Sequence, residues 1–358
     1  MAPLAAAYSG PPKLTIATAF TQWRLDVPML VLIVALGAWY LASARKVGRN
    51  GGQWGSGRTV AFVAFGLGFL LIATMAWPGA YESVLFYARA TQTVLLVLVV
   101  PLFLAMGKPL TLLTEAQPKI GRPVVRLVRS RAARVVTFPA ITTLLLVAVP
   151  MTMYFTSWYT AVFAGGTVRE LTYLILMVPG YVFFWTLLRV DPVPREYPYG
   201  VAMWITAAEV VGDAFFGIAV IADQTLIGAA HYHAVGYPYG PSLATAQVIG
   251  GGIIWILGDF VGLPFLAVQL IQMMRADKRE AAVIDAVLDA RDAERAAARA
   301  ARETLSGGAG PAAGPGPADG DPAAVAVGSV TDEPEDTGEA DRPWWESDPR
   351  ITDRFKRA

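Results

Sequence analysis

Seven separate runs of about 20 mainly apolar residues mark this chain, and each is long enough to cross the roughly 30 Å hydrocarbon core of a bilayer as one helix. They fall at about 27–44, 59–77, 84–105, 136–156, 170–189, 201–222 and 246–273. Composition agrees. With 55% hydrophobic and only 16% charged residues, the 358-residue chain carries too little charge to cover a water-facing surface of its size. The predicted fold is therefore all-α: a polytopic membrane protein with seven transmembrane helices.

Orientation follows from the placement of Lys and Arg, because basic loops resist translocation. Arg45, Lys46, Arg49 and Arg58 follow the first run, and Lys108, Lys119, Arg122, Arg126, Arg129, Arg131 and Arg134 separate the third and fourth. Arg189 and Arg195 follow the fifth, and Arg275, Lys278 and Arg279 the seventh. These are alternate loops, which predicts an outside amino terminus and a cytoplasmic carboxyl terminus. Residues 1–25 read as a short external segment with Phe20 to Trp23 at the interface, and 26–275 as the membrane domain. Residues 276–304 place Val283, Ile284, Val287 and Leu288 at helical spacing, predicting a cytoplasmic helix. Residues 305–341, rich in Gly, Pro, Ala and acids, read as a disordered linker, since they offer too little apolar surface to offset ordering entropy. At 342–358, Trp344 and Trp345 followed by Arg350, Arg354, Lys356 and Arg357 suggest a tail that docks on a cytoplasmic partner, anchors at the interface or stays unbound.

Several function classes are excluded or made improbable by counting. A net charge of +1 offers no concentrated basic face for nucleic acid. The absence of cysteine removes disulfides, thiolate metal sites and cysteine nucleophiles, and two histidines are too few for a three-histidine zinc site. No phosphate-binding loop, nucleophile elbow or zinc-protease run occurs, so the chain is not expected to be an enzyme.

The informative residues are polar groups inside the spans, because a charge at mid-bilayer costs about 2.5–3.5 kcal/mol on insertion scales. Arg89 lies about 7–8 Å below the outer edge of the third span. Glu209 and Asp213 share one face of the sixth, with Asp213 at a depth similar to Arg89. An Arg89–Asp213 ion pair is expected, joined by Gln92 and Thr93 and reached from the fifth span by Arg169, Glu170 and Tyr173. Such a cluster either fastens helices together or serves an ion, a proton relay or a partner. In the seventh span, Gly250, Gly251, Gly252, Gly258, Asp259 and Gly262 form small-residue patterns that suit close helix packing. His231 and His233 lie in the outer connection between the last two spans and could hold copper or zinc if that loop were extended and a third ligand converged. Met75, Met151 and Met153, near outer span ends, are soft donors suited to Cu(I) or simply gap fillers.

One set of runs carries a resemblance. Trp23 to Tyr40, Arg58-Thr-Val-Ala-Phe, Met106-Gly-Lys-Pro-Leu-Thr, Val190-Asp-Pro-Val-Pro, Ala214-Phe-Phe-Gly-Ile-Ala, Gly250-Gly-Gly-Ile-Ile-Trp and Arg275-Ala-Asp-Lys-Arg-Glu occur in order across residues 20–300. Together they resemble the CtaG family of bacterial cytochrome c oxidase assembly factors. The resemblance implies a seven-helix plasma-membrane protein that helps mature a haem-copper oxidase of the respiratory chain and handles or delivers copper. It also exposes departures. Where members carry histidines in the third span this chain has Arg89 and Thr93 on either side of Gln92. It has Arg169 and Tyr173 where they open the fifth with a histidine pair, and Asp213 where a histidine precedes Ala-Phe-Phe-Gly. Arg cannot ligate a metal and repels cations.

The expectation is thus a non-enzymatic assembly or stabilisation factor contacting cytochrome c oxidase subunits and membrane lipid, with no cofactor and the ligand positions taken by an ion-pair cluster. Two alternatives stand beside it: an ion or proton transporter using Glu209, Asp213 and Asp259, and a copper transporter or chaperone.

Overall fold

A computed structural model describes residues 8–195 and 197–307. The expected linker from residue 308 onward and the Trp344 to Ala358 motif lie outside the described residues. The chain divides into two compact units, Met1–Leu288 and Asp289–Ala358. In the second, the described backbone is helical and Arg295 pairs with Asp292 at 3.7 Å.

The first unit is all-α. Six helices are long and apolar enough to cross a membrane: Val27–Arg49, Ser56–Tyr81, Phe86–Ala116, Gly166–Leu188, Tyr199–Ala222 and Leu243–Ala301. A seventh crossing is made if Pro139–Tyr154 and Trp158–Ala164, which meet at 67°, are counted as one broken span. In chain order these are the first, second, third, fifth, sixth and seventh spans, with the broken pair as the fourth. The chain is a multi-pass membrane protein.

Local chemistry explains the boundaries. Asp26 caps the first span by accepting the Met29 amide at 3.2 Å, with Pro28 in the opening turn. The bend in the fourth span falls at Phe155–Ser157, where the Thr156 hydroxyl donates back to the Thr152 carbonyl at 2.7 Å and accepts the Trp158 amide at 3.3 Å. A threonine placed there ends one helix and starts the next, so the helix expected over 136–156 is Pro139–Tyr154, and a second, Trp158–Ala164, follows it at an angle. The third span turns at Lys108, whose positive φ of 52° precedes Pro109. A π-helical stretch, Val60–Leu67, lies in the second span and another, Leu95–Val99, in the third.

Close approach is set by glycine. A Cβ on Gly217 of the sixth span would lie 2.7 Å from the Gly251 carbonyl oxygen of the seventh, and one on Gly250 would lie 2.5 Å from the Phe86 ring. Gly252 meets nothing within 4 Å and is not a packing residue. The face of the bundle is apolar, with Trp204 and Phe260 more than three-quarters exposed, which suits contact with lipid.

Candidate functional site

Three elements converge near one end of the bundle: the segment before the first span, the connection from the second span to the third, and the start of the fifth span. At their centre is Glu82, 1% exposed. Its Oε1 accepts from Arg24 Nη1 at 2.8 Å and its Oε2 from Arg89 Nη1 at 3.0 Å. The Tyr173 hydroxyl lies 2.9 and 2.8 Å from the two oxygens and donates to them, while accepting from Arg24 Nη2 and Gln92 Nε2 at 3.1 Å each. Arg89 is fully buried. It also donates to Gln92 Oε1 at 2.7 Å and to the Met153 sulfur at 3.2 Å. Arg169 closes the rim, 3.9 Å from Glu82, 3.7 Å from Asp26 and 3.5 Å from Glu170. Thr93 bridges the Arg89 carbonyl and the Tyr154 hydroxyl.

The charges here balance: Arg24, Arg89 and Arg169 against Asp26, Glu82 and Glu170. Burial alone would push the Glu82 carboxyl up, but Arg89 and Arg24, with hydrogen bonds from Arg24 and Tyr173, hold it below the ordinary glutamate value. Arg24 is destabilised as a cation by burial, yet Glu82 and Tyr173 raise its pKa overall. Because the folded-state value of Glu82 is depressed, its contribution to stability is present above the unfolded value, about 4.3, and is lost as pH falls through the folded one. We predict that the thermal midpoint of the wild type drops below about pH 4.3 more steeply than that of Glu82→Gln. Parallel slopes in a pH series of thermal melts would contradict this.

A second polar group lies between the sixth and seventh spans. A Cβ on Gly258 would sit 2.5 Å from Asp213 Oδ2, and one on Gly262 would sit 3.1 Å from Glu209 Oε2. Two glycines four apart thus seat two carboxyls four apart on the opposing helix. Glu209, Asp213 and Asp259 interact electrostatically, and Glu209 Oε1, Asp213 Oδ2 and Asp259 Oδ1 are buried without a hydrogen-bond partner among the described residues. Gln269 continues the file, donating to the Thr206 hydroxyl at 2.9 Å.

The pattern of the Caa3_CtaG family, cytochrome c oxidase caa3 assembly factor, matches residues 38–276. The chain belongs to this family. With its apolar spans, a member of this bacterial family is a plasma-membrane protein. Curated relatives are uncharacterized proteins of Mycobacterium bovis and Mycobacterium tuberculosis, each 30% identical over 76% of this chain, and of Mycobacterium leprae, 28% identical over the same share. The chain spans about 42% of the length of the first two and 43% of the third. No solved structure matches it.

The runs that carry the CtaG resemblance meet in space. Asp191, from Val190-Asp-Pro-Val-Pro, accepts the Leu110 amide at 2.9 Å, the Thr111 amide at 2.8 Å and the Thr111 hydroxyl, all from Met106-Gly-Lys-Pro-Leu-Thr. Helix Pro109–Ala116 has no side-chain cap of its own, so Asp191 supplies one from across the bundle. Gly107 accepts from the Tyr40 hydroxyl at 2.7 Å, and Tyr40 stacks on Phe62 at 4.2 Å. Gly217 and Gly251 belong to two further runs. By this geometry Asp191→Ala is expected to lose about 1–2 kcal/mol of stability, read by thermal unfolding in micelles.

Three expectations need correction. Arg89 does not pair with Asp213. Its partner is Glu82, seven residues earlier in the turn that precedes helix Phe86–Val94, because Arg89 turns toward the bundle end while Asp213 faces Gly258. The expected cluster therefore divides: Arg89, Gln92, Tyr173, Arg169 and Glu170 stay together, Thr93 borders them through Tyr154, and Glu209 and Asp213 join Asp259. His231 and His233 do not lie on an extended loop but on helix Ala229–Val235. Residues two apart on a helix point to different sides, so they do not chelate jointly. His231 bonds the Ser83 carbonyl at 2.9 Å and stacks on Phe163 at 4.1 Å. The described residues hold no group of three or more His, Asp or Glu side chains arranged for a metal.

Sequence reasoning missed Glu82, Arg24 and Asp26 as members of the site. A signal existed for Glu82: it is an acid only seven residues before Arg89, in the short connection between two apolar runs.

Proposed function

We propose that this chain assists assembly or stabilisation of a haem-copper cytochrome c oxidase, with the cluster around Glu82 acting as a structural clamp in place of a metal-ligand set. The observation that carries the reading is the family match over residues 38–276. The clamp is supported by the chemistry of its residues. Arg89 has a fixed charge, and the Met153 sulfur and Gln92 oxygen nearby are occupied by its guanidinium. A copper ion does not fit such a donor set, so no copper step is derived through it. The basic loops support a cytoplasmic placement of the end carrying Arg58, Lys108 and Arg195. Oxidase subunits are the proposed partners, met through the apolar helix faces.

Deleting the gene is expected to lower the reduced-minus-oxidised oxidase spectrum while oxidase subunit transcripts stay unchanged, and the intact chain should restore it. A normal spectrum in the deletion strain would reject the proposal.

A second reading is favoured by the partnerless buried oxygens of Glu209, Asp213 and Asp259, which suit a proton or small cation passing between helices. Flux across proteoliposomes that disappears with Asp213→Asn would support it; absence of flux would leave the carboxyls as packing groups.

A further inference from the structure

We propose that the recess between helix Arg131–Val136, the start of the fourth span and the residues Pro194, Arg195 and Tyr197 binds the phosphate head of an anionic phospholipid. The cavity measures about 690 Å³ and is lined by Arg131, Arg134 and Arg195 together with Phe138, Ile141 and Tyr197. Among the described residues none of these three arginines pairs with a carboxylate; the ion pairs present involve Arg24, Arg89, Arg169 and Arg295. Three guanidiniums around one opening, each with a planar fork of donors, match the oxygens of a phosphate.

The other wall selects the source of that phosphate. Phe138 and Tyr197 meet edge to face at 6.4 Å, and Arg195 lies over the Tyr197 ring at 5.6 Å. Phe138 begins the fourth span as its N-cap, which places the recess where a membrane helix leaves the bilayer. The preceding helix Pro118–Val128 exposes Ile120 and Leu127 beside Lys119, Arg122 and Arg126, so the surface around the recess is apolar and basic together. A surface of this kind lies in the headgroup layer, with cations at the phosphates and apolar side chains among acyl chains. A free phosphate would use the arginines but gain nothing from the aromatic wall.

The test is lipid retention by the full chain, purified in neutral detergent and titrated with phosphatidylglycerol, phosphatidylcholine or inorganic phosphate under native mass spectrometry. Wild type is expected to retain phosphatidylglycerol over phosphatidylcholine. Arg131→Gln/Arg134→Gln/Arg195→Gln should weaken that retention about 100-fold, and Arg45→Gln/Lys46→Gln/Arg49→Gln, which removes as many charges from the end of the first span, should leave most of it. If the triple variant does not yield monodisperse protein, Arg131→Gln and Arg195→Gln alone should each weaken retention about fivefold. Equal retention of the two lipids, or retention unchanged by loss of the three arginines, overturns the proposal. Displacement of the lipid by millimolar inorganic phosphate also overturns it, in favour of a free-anion site.

Discussion

Replacing Glu82 with alanine is expected to lower the unfolding free energy by about 3–5 kcal/mol, the range for removing one partner of a buried ion pair. The cost comes less from the lost attraction than from what remains. Arg89 is fully buried and cannot shed its proton, so it would face Gln92 and a methionine sulfur with no neutralising charge. Tyr173 and Arg24 would lose their shared acceptor at the same time. Thermal or chemical unfolding in nanodiscs measures the effect. The double variant Glu82→Ala/Arg89→Met should recover part of the loss, because removing both charges also removes the uncompensated one. A single variant within 0.5 kcal/mol of wild type, or strictly additive losses, would show that the pair is not the clamp.

Gly180→Leu should be damaging through packing alone. Even a single Cβ at this position would overlap the Val97 carbonyl oxygen and lie 3.0 Å from Pro101, both in the third span. The obstacle is backbone, so it cannot rotate aside, and the fifth span would have to leave the third. Overpacking commonly costs about 1–3 kcal/mol, and the upper end or beyond is expected where a helix pair must separate. Gly252→Ala provides the contrast. Nothing lies within 4 Å of its Cβ, so it should be neutral or stabilise by up to about 1 kcal/mol through helix propensity. If both variants express and melt like the wild type, the close contact of the third and fifth spans is not a requirement of the fold.

These two cases show where sequence reading succeeds and where it stops. Gly180 was invisible as a critical position, since one glycine in a 23-residue apolar helix carries no sign of what faces it. Gly252 stood out within a three-glycine run, yet faces open space. Periodicity assigns residues to a helix face but does not say which neighbour covers that face. The same holds for Arg89. Counting residues placed it at a depth shared with Asp213, but depth is one coordinate and rotation about the helix axis is another. Its partner, Glu82, lies between the second and third spans, in a stretch that hydropathy treats as a boundary.

The spans themselves, the all-helical class and the family were readable along the chain, because in lipid each helix satisfies its own backbone hydrogen bonds and needs no distant residue to do so. Which carboxylate neutralises Arg89, how Asp191 caps a helix 80 residues away, and why the fourth span bends at Thr156 were set by helices meeting in three dimensions. Those outcomes depend on long-range contacts between groups whose separation along the chain carries no trace of their distance in space.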